Sequence, residues 1–483
     1  MKNKSLIAMY KSIPVQVKAS LWFVLCSVIQ KGIMFLTTPI FTRIMSTEEF
    51  GVVSIYNSWL SILTVVLTLQ LATGVYNKAM ITYRNQKDEY TSSMLFLTTV
   101  MLVFWLLIYF LFKEKITSIL GLNSELTVML FVDLIFSEAM SFWTIRNKFE
   151  FKYKNVVVYT LLSTILSTFG GVVAVFLFPA NKASARIYTT VLVHIIIYSI
   201  VYYKIINNGK KLIWPSAWKY ALKYNLPLIP HYLSQQVLNQ ADRLMINNIC
   251  GSAQTAMYTV AYQIAMVLNI ITTAIDGSFA PWAYQSISEH REKEVGKLAS
   301  EILIGTACVC FFFTLFAPEF IYILGGEGYK EAVWVVPPVC MSVYFIMLYS
   351  LVSTVTFYYE KTKSIMISSC LIAILNVVLN SYFIKQFGMV AAGYTTLVCY
   401  ILYAIIHFFL VKKTSRIENL ECPFNTFKIW VPAGIVLLFT VLSSISYVYL
   451  WLRIILILIF TFLIVFIILK YKDTILKIIK KEL

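Results

Sequence analysis

Residues 223–262 read KYNLPLIPHYLSQQVLNQADRLMINNICGSAQTAMYTVAY. The stretch is long enough to cross a bilayer, yet it holds Pro227, Pro230, His231, the amides Gln235, Gln236, Asn239 and Gln240, and the adjacent charges Asp242 and Arg243. At 3.6 residues per turn His231, Gln235, Asn239 and Asp242 share one side of a helix, and most of the leucines and valines lie elsewhere. Two prolines in the first turns remove backbone donors, which at membrane depth is tolerated only against protein or a watery cavity. The stretch therefore reads as a helix lining a polar cavity.

Outward from it, the 483-residue chain is 59% hydrophobic and 13% charged, and apolar runs of about 20 residues recur from end to end. The pattern predicts an all-α polytopic membrane protein with about 14 transmembrane helices. The net charge of +17 does not mark a nucleic-acid binder, because the basic residues sit in short loops instead of one patch. Counted along alternating loops, Lys and Arg gather on one side; the other side holds only Arg43, Lys113, Lys115, Lys182, Arg186, Lys330, Lys385 and Arg453. The positive-inside rule then predicts both termini in the cytoplasm and an even number of spans.

The eight cysteines, Cys26, Cys250, Cys308, Cys310, Cys340, Cys370, Cys399 and Cys422, lie mostly in apolar runs without a C-x-x-C pair, which implies neither a zinc site nor a disulfide framework. Lys2, Lys4, Lys11 and Lys18 precede the first apolar run as in a signal peptide, but that run continues past Pro39 without a small-residue cleavage site and is read as the first span. No Walker loop, nucleophile elbow or H-E-x-x-H is present, so no cofactor is expected and transport, not catalysis, is the natural class.

The longest connection on the basic side splits the spans six and six. The expected organisation is an N-terminal six-helix lobe over residues 1–206, a cytoplasmic linker over 207–218, a C-terminal six-helix lobe over 219–411, and two peripheral helices with a basic tail over 412–483. A weak internal echo, Thr42-Arg43-Ile44-Met45 with Gly51 against Asp242-Arg243-Leu244-Met245 with Gly251, fits a parallel repeat.

Charges at the centre of a span cost about 2.5 to 3.5 kcal/mol on insertion scales, so each is a functional candidate. Lys31, beside Gln30 and Gly32, is read as a cavity cation for an anionic substrate; the alternative is a structural ion pair with Asp133 or Glu138. Asp242 with Arg243 is either a salt bridge or anchor at the outer end of its span, or a substrate contact; Arg43 belongs to the same gate or ion-pair group. Asp133, Glu138 and Asp276 are candidates for a coupling cation, with serine-satisfied structural carboxylates as the alternative. His231 is a proton shuttle or a satisfied hydrogen-bonding residue, and a lone His194 on an apolar face is read as structural.

The run Asn225-Leu-Pro227-Leu-Ile-Pro230-His231, then Asn239-Gln-Ala-Asp242-Arg243, then Gly251, Tyr258, Ala261, Tyr262 and Ser278-Phe-Ala-Pro281-Trp282, resembles the Wzx-type oligosaccharide flippases of bacterial polysaccharide biosynthesis. These share a superfamily with multidrug and toxin extruders. Gln30-Lys31-Gly32, Pro39-Ile-Phe-Thr42-Arg43 and Glu48-Glu49-Phe50-Gly51 are similar to the same family's opening. The likeness runs from about residue 14 to 411, with Ala256 standing where glycine is expected. It implies a V-shaped bundle of two lobes around a cavity that opens alternately to each side of the bacterial cytoplasmic membrane. The implied substrate is an undecaprenyl-diphosphate-linked oligosaccharide bound for O-antigen, capsule or a related glycan. Lys31, Gln30, His231, Gln235, Asn239 and Arg243 would form the substrate cavity, and polymerase and chain-length proteins are the expected partners besides membrane lipids. The rival readings are a multidrug or cation antiporter, a lipid II flippase, and a scaffold that transports nothing.

Overall fold

The computed structural model describes residues 14–359, 361–418 and 421–462, and among them every regular element is helical. The chain runs α1 (Val15–Ile44), α2 (Thr47–Thr68), α3 (Tyr76–Thr82), α4 (Lys87–Leu111), α5 (Lys113–Leu120), α6 (Ser124–Phe149), α7 (Tyr153–Leu177), α8 (Lys182–Gly209) and α9 (Pro215–Asn225). It continues with α10 (Ile229–Cys250), α11 (Ser252–Ser288), α12 (Glu292–Leu315), α13 (Ala317–Gly325), α14 (Val336–Tyr358), α15 (Thr362–Phe387), α16 (Met389–Ile417) and α17 (Thr426–Ser446). A shorter apolar helix, α18 (Leu450–Phe462), follows.

Local chemistry sets the helix ends. Ser46 and Glu49 form a reciprocal capping box that starts α2 two residues after α1 ends, and Asn123 caps α6 through the Leu126 amide. α2 stops where Leu69 and Gln70 both take positive φ, a strained turn held by Asn225. The fully buried Asn225 side chain accepts from the Val75 amide at 3.1 Å and donates to the carbonyls of Leu69 and Gln70 at 3.2 and 2.9 Å. Those bonds satisfy carbonyls that the end of α2 would otherwise orphan.

Twelve helices are long and apolar enough to cross a membrane among the described residues, against the fourteen expected. α10, the helix of the quoted stretch, misses because its amides and charges pull its hydropathy down. It is instead wrapped by α2, α11 and α15, as a polar helix at membrane depth must be. The last expected span, near residue 461, begins as α18 and continues into residues outside the described range.

α4, α6, α7 and α8 pack on one another and on α1 and α2; α11, α12, α14, α15 and α16 form a second set with α10. The sets meet where α2 lies along α10 and α11. A side chain at Gly51 would strike the Ser252 backbone, so the small residue lets these helices close at the face carrying the α1–α2 and α10–α11 turns, here called the upper face. Gly51 and Gly251 thus serve different ends: Gly251 terminates α10 at φ +93°, in open space. At the same face Thr42 Oγ1 donates to the Leu324 carbonyl at 2.5 Å, and Arg43 donates to that of Ile323 at 3.0 Å. These bonds cap the end of α13. α17 packs on α12 and α14 at the edge.

Candidate functional site

Four helices of the first set and one residue of the second line a cavity of about 230 Å³. Its wall is built from polar stripes at helical spacing: Gln30, Thr37 and Thr38 on α1; Tyr56 and Asn57 on α2; Ser163, Thr164, Ser167 and Thr168 on α7; Arg186, Thr190, His194 and Tyr198 on α8. Gln263 of α11 closes it. The threonine and serine hydroxyls largely donate to carbonyls one turn back in their own helices, as with Thr37 to Ile33 at 2.7 Å and Thr164 to Thr160 at 2.8 Å. Their lone pairs remain for a ligand. Gln30, Asn57 and Gln263 make no side-chain hydrogen bond among the described residues, so their amides are also free to bind.

Arg186 supplies the cavity's charge. Its guanidinium lies 3.6 Å from the Phe41 ring centre and 5.3 Å from that of Phe50, with Nη1 4.0 Å from Met45 Sδ. No carboxylate pairs with it among the described residues. A guanidinium stacked on rings keeps its in-plane donors free, which suits it to a phosphate or carboxylate.

Two turns along α8, His194 Nδ1 sits 2.6 Å from Asp133 Oδ1, and the imidazole stacks on Tyr198 at 4.7 Å. Asp133 also accepts from Ser137 Oγ at 2.9 Å and from the more distant Tyr56 hydroxyl at 3.5 Å. Asp133 is fully buried; His194 reaches the cavity. A carboxylate thus meets the cavity through a titratable ring. His194, read from sequence as a structural residue without a partner, has one.

The other expected site residues are scattered. Lys31 is half-buried next to Gln30, lies off the cavity wall and makes no ion pair or hydrogen bond among the described residues. Asp133 and Glu138 do not pair with it; Glu138 is buried with Oε2 unpartnered. On α10, Arg243 donates to the Asn239 carbonyl at 2.8 Å and to Gln240 Oε1 at 3.1 Å, and its guanidinium lies 4.4 Å from the Tyr262 ring centre. Gln240 Oε1 accepts from Ser58 of α2 at 3.2 Å, tying the two sets together. Asp242 pairs with neither Arg243 nor Arg43; it accepts from Tyr258 at 2.5 Å, Asn380 at 2.7 Å and Thr396 at 2.8 Å. Asp276 accepts from Ser350 at 2.9 Å, and the half-buried His231 leaves Nδ1 without a partner. Gln235 and Asn239 are half-buried and away from the cavity wall. Among the described residues no cluster of His, Cys, Asp and Glu could hold a metal ion.

Sequence reasoning missed Arg186 and His194. By loop counting Arg186 falls with the outer loops, although Arg186, Thr190, His194 and Tyr198 recur at i, i+4, i+8 and i+12 and mark one polar stripe through an apolar helix.

Residues 17–284 match the family model described as polysaccharide biosynthesis protein, and residues 227–382 match the model described as MatE. The chain is 23% identical over 371 residues to the Lsg locus putative protein 1 of Haemophilus influenzae, covering 73% of this chain and 87% of that protein. It is 19% identical over 399 residues to the probable low-salt glycan biosynthesis flippase Agl15 of Haloferax volcanii, covering 81% and 82%. Among solved structures, the lipid II flippase MurJ in an inward closed conformation superposes with a TM-score of 0.70 at 13% identity, covering 95% of this chain and all of that one. With the first match spanning more than half its length, and with this all-helical fold, the chain belongs to the polysaccharide biosynthesis protein family, as a multi-pass integral membrane protein.

Proposed function

We propose that the protein is a flippase for undecaprenyl-diphosphate-linked oligosaccharides and works by alternating access. The observation that carries the reading is the unpaired Arg186 in a cavity of free amides and hydroxyl lone pairs. A diphosphate-linked sugar brings anionic oxygens and many hydroxyls, and each unsatisfied polar group in hydrocarbon costs several kcal/mol. Arg186 answers the diphosphate, while Gln30, Asn57 and Gln263 answer the sugar. The cavity is smaller than the volume of about 300–1,000 Å³ usual for small-molecule sites, so in this conformation it admits the charged end of the substrate and not a whole repeat unit.

Lys31 is assigned the first capture of the diphosphate and Arg186 the deeper hold. The lobes, 1–206 and 219–411, rock about α2 and α10, so that Arg243, Asn239, Gln235 and His231 meet the sugar when the helices part. Thr42 and Arg43 on the end of α13, with Gly51 against Ser252, form the upper gate. Asp133 with His194 is the leading element for coupling to a proton or cation, with Glu138 and Asp276 as further carriers; one charge moved through 100 mV supplies about 2.3 kcal/mol. The basic lower face lies in the cytoplasm of a bacterium, and the product feeds O-antigen, capsule or a related glycan through a polymerase.

A drug antiporter is the second reading, favoured by the MatE match over residues 227–382. Against it, an unpaired cation in the cavity repels cationic drugs. The test is deletion of the gene, followed by a membrane-impermeant glycan label on intact and on lysed cells. Lipid-linked repeat units accumulating only on the inner face are expected. Normal glycan export in the deletion strain, with increased drug susceptibility, overturns the flippase in favour of the antiporter.

A further inference from the structure

A turn of the second set brings one further donor towards Arg186. After α13 ends at Gly325, the chain reverses at Gly326, at φ +72°, into a 3-10 helix over Glu327–Val335 that packs on α11, α13, α14 and α16. Its first turn carries Tyr329, which is 1% exposed. The tyrosine folds back on the end of α13, where a side chain at Gly325 would strike its Cβ and ring. Its ring meets that of Phe50 edge to face at 6.3 Å, and Phe50 is the cavity-wall residue whose ring centre also lies 5.3 Å from the Arg186 guanidinium. The Arg186 charge acts on the Tyr329 hydroxyl. So does that of Glu48, but Glu48 stands exposed at the start of α2, where water and salt screen it.

Among the described residues the buried Tyr329 hydroxyl has no hydrogen-bond partner, and no carboxylate pairs with Arg186. Two donors therefore flank one ring with no acceptor for either. A buried donor left unmade is costly, and an anionic oxygen accepts from a hydroxyl and a guanidinium alike. A water would satisfy the hydroxyl but would not answer the charge beside it. We propose that Tyr329 is a second ligand of the diphosphate: Arg186 takes one phosphoryl group, and the Tyr329 hydroxyl donates to the other. Phe50 stands in the cavity wall and Tyr329 behind it, so the hydroxyl is reached as the headgroup moves up past Phe50. This rests on the flippase reading above and adds to it what separates a diphosphate carrier from a monophosphate one. A monophosphate is taken up by Arg186 and leaves nothing for the hydroxyl, whereas a diphosphate engages both. The two donors belong to different sets, so one headgroup is read by both halves of the bundle.

The experiment titrates the full-length protein with undecaprenyl diphosphate and, separately, with undecaprenyl phosphate, and reads binding by native mass spectrometry. The parent is expected to prefer the diphosphate about tenfold or more, the worth of a hydrogen bond to a charged oxygen. Tyr329→Phe removes only an unpartnered hydroxyl, so it should fold as the parent does; its preference should fall to about twofold, with monophosphate binding unchanged. Arg186→Ala should weaken both lipids. Incorporation of 3-fluorotyrosine in place of Tyr329 makes the hydroxyl a stronger donor and, at mildly acidic pH where it stays protonated, should raise the preference. Four results overturn Tyr329 as a ligand and leave the flippase reading standing: a Tyr329→Phe protein that keeps the parent's preference, one that weakens both lipids equally, a fluorinated protein that prefers the diphosphate no more than the parent, or a parent that binds both lipids alike. A folded parent that binds neither lipid overturns both.

Discussion

Asp133 and Asp242 are two carboxylates with almost no exposure, one in each half of the bundle, and they are held in opposite ways. Asp242 accepts from a tyrosine, an asparagine and a threonine on three helices, and Asn380 and Asn376 extend that network to Thr395 and Thr396. Its partners are neutral and none lines the cavity. Asp133 is held by a histidine that does line it. Burial alone does not separate a structural acid from a working one. The partner's chemistry, and what lies on the partner's far side, does.

The comparison breaks first at Asp242. Asp242→Ala would strand three buried donors, each costing about 1–3 kcal/mol. We expect loss of monodisperse protein in size-exclusion chromatography and a large fall in the thermal transition, with Asp242→Asn, which keeps one acceptor, losing less. Asp133→Ala frees a serine that can turn to its own helix, and a histidine and a more distant tyrosine that both line the cavity, so it should remain folded. An Asp242→Ala protein as heat-stable as its parent would remove the structural half of the contrast.

Next comes Arg186. Hydrogen bonds to charged groups contribute about 1.5–3 kcal/mol, so Arg186→Ala should lower export of the lipid-linked glycan about 10- to 100-fold, at unchanged expression. Arg186→Lys should recover only part, because an ammonium lacks the planar fork and the stacking on Phe41. Lys31→Ala, off the cavity wall, should cost less than tenfold. If Lys31→Ala proves the more damaging, the cavity is not where the charge is read. Smaller still is the effect of His194→Gln: export persists, but stimulation by an imposed proton gradient disappears in proteoliposomes, whereas a gradient response that survives would return Asp133 to the structural class.

The polar periodicity of residues 231–242 revealed a helix that lipid would reject, and the bundle does enclose it. The same periodicity reads as a cavity-lining face, whereas in this structure α10 gives no residue to the wall of the polar cavity. Three polar groups of α10 are taken up by neighbours: Gln240 by Ser58, Arg243 by Tyr262 and a carbonyl, Asp242 by three donors. Those partners lie more than a hundred residues away in several cases, and no local spacing encodes them. The cavity was written more quietly, in hydroxyls and amides on α1, α7 and α8, residue types that also occur as ordinary back-bonded helix residues. Arg186 was masked by its place near a helix start, where positive charge reads as loop. His194 looked solitary because Asp133 stands on another helix, 61 positions earlier.

The contrast sharpens last at the upper gate, where the half that holds Asp133 is latched to the half that holds Asp242. Thr42 donates to the Leu324 carbonyl from a buried position, and the Arg43 contacts beside it are exposed. Thr42→Val keeps the shape, removes the donor and leaves a helix-end carbonyl unsatisfied, for about 1 kcal/mol. That energy is lost in the latched state and not in one where the ends have separated, so it shifts the balance between them about fivefold towards opening. Arg43→Ala, whose bonds compete with water, should shift it by less. A cysteine placed at Thr37 on the cavity wall reports the change through its labelling rate by an impermeant maleimide added at the upper face, read against the eight native cysteines of the parent. Faster labelling in Thr42→Val than in Arg43→Ala is expected. Equal rates in both variants and the parent would mean that the latch is not what holds the two halves together, and that the Gly51–Ser252 approach alone closes the upper face.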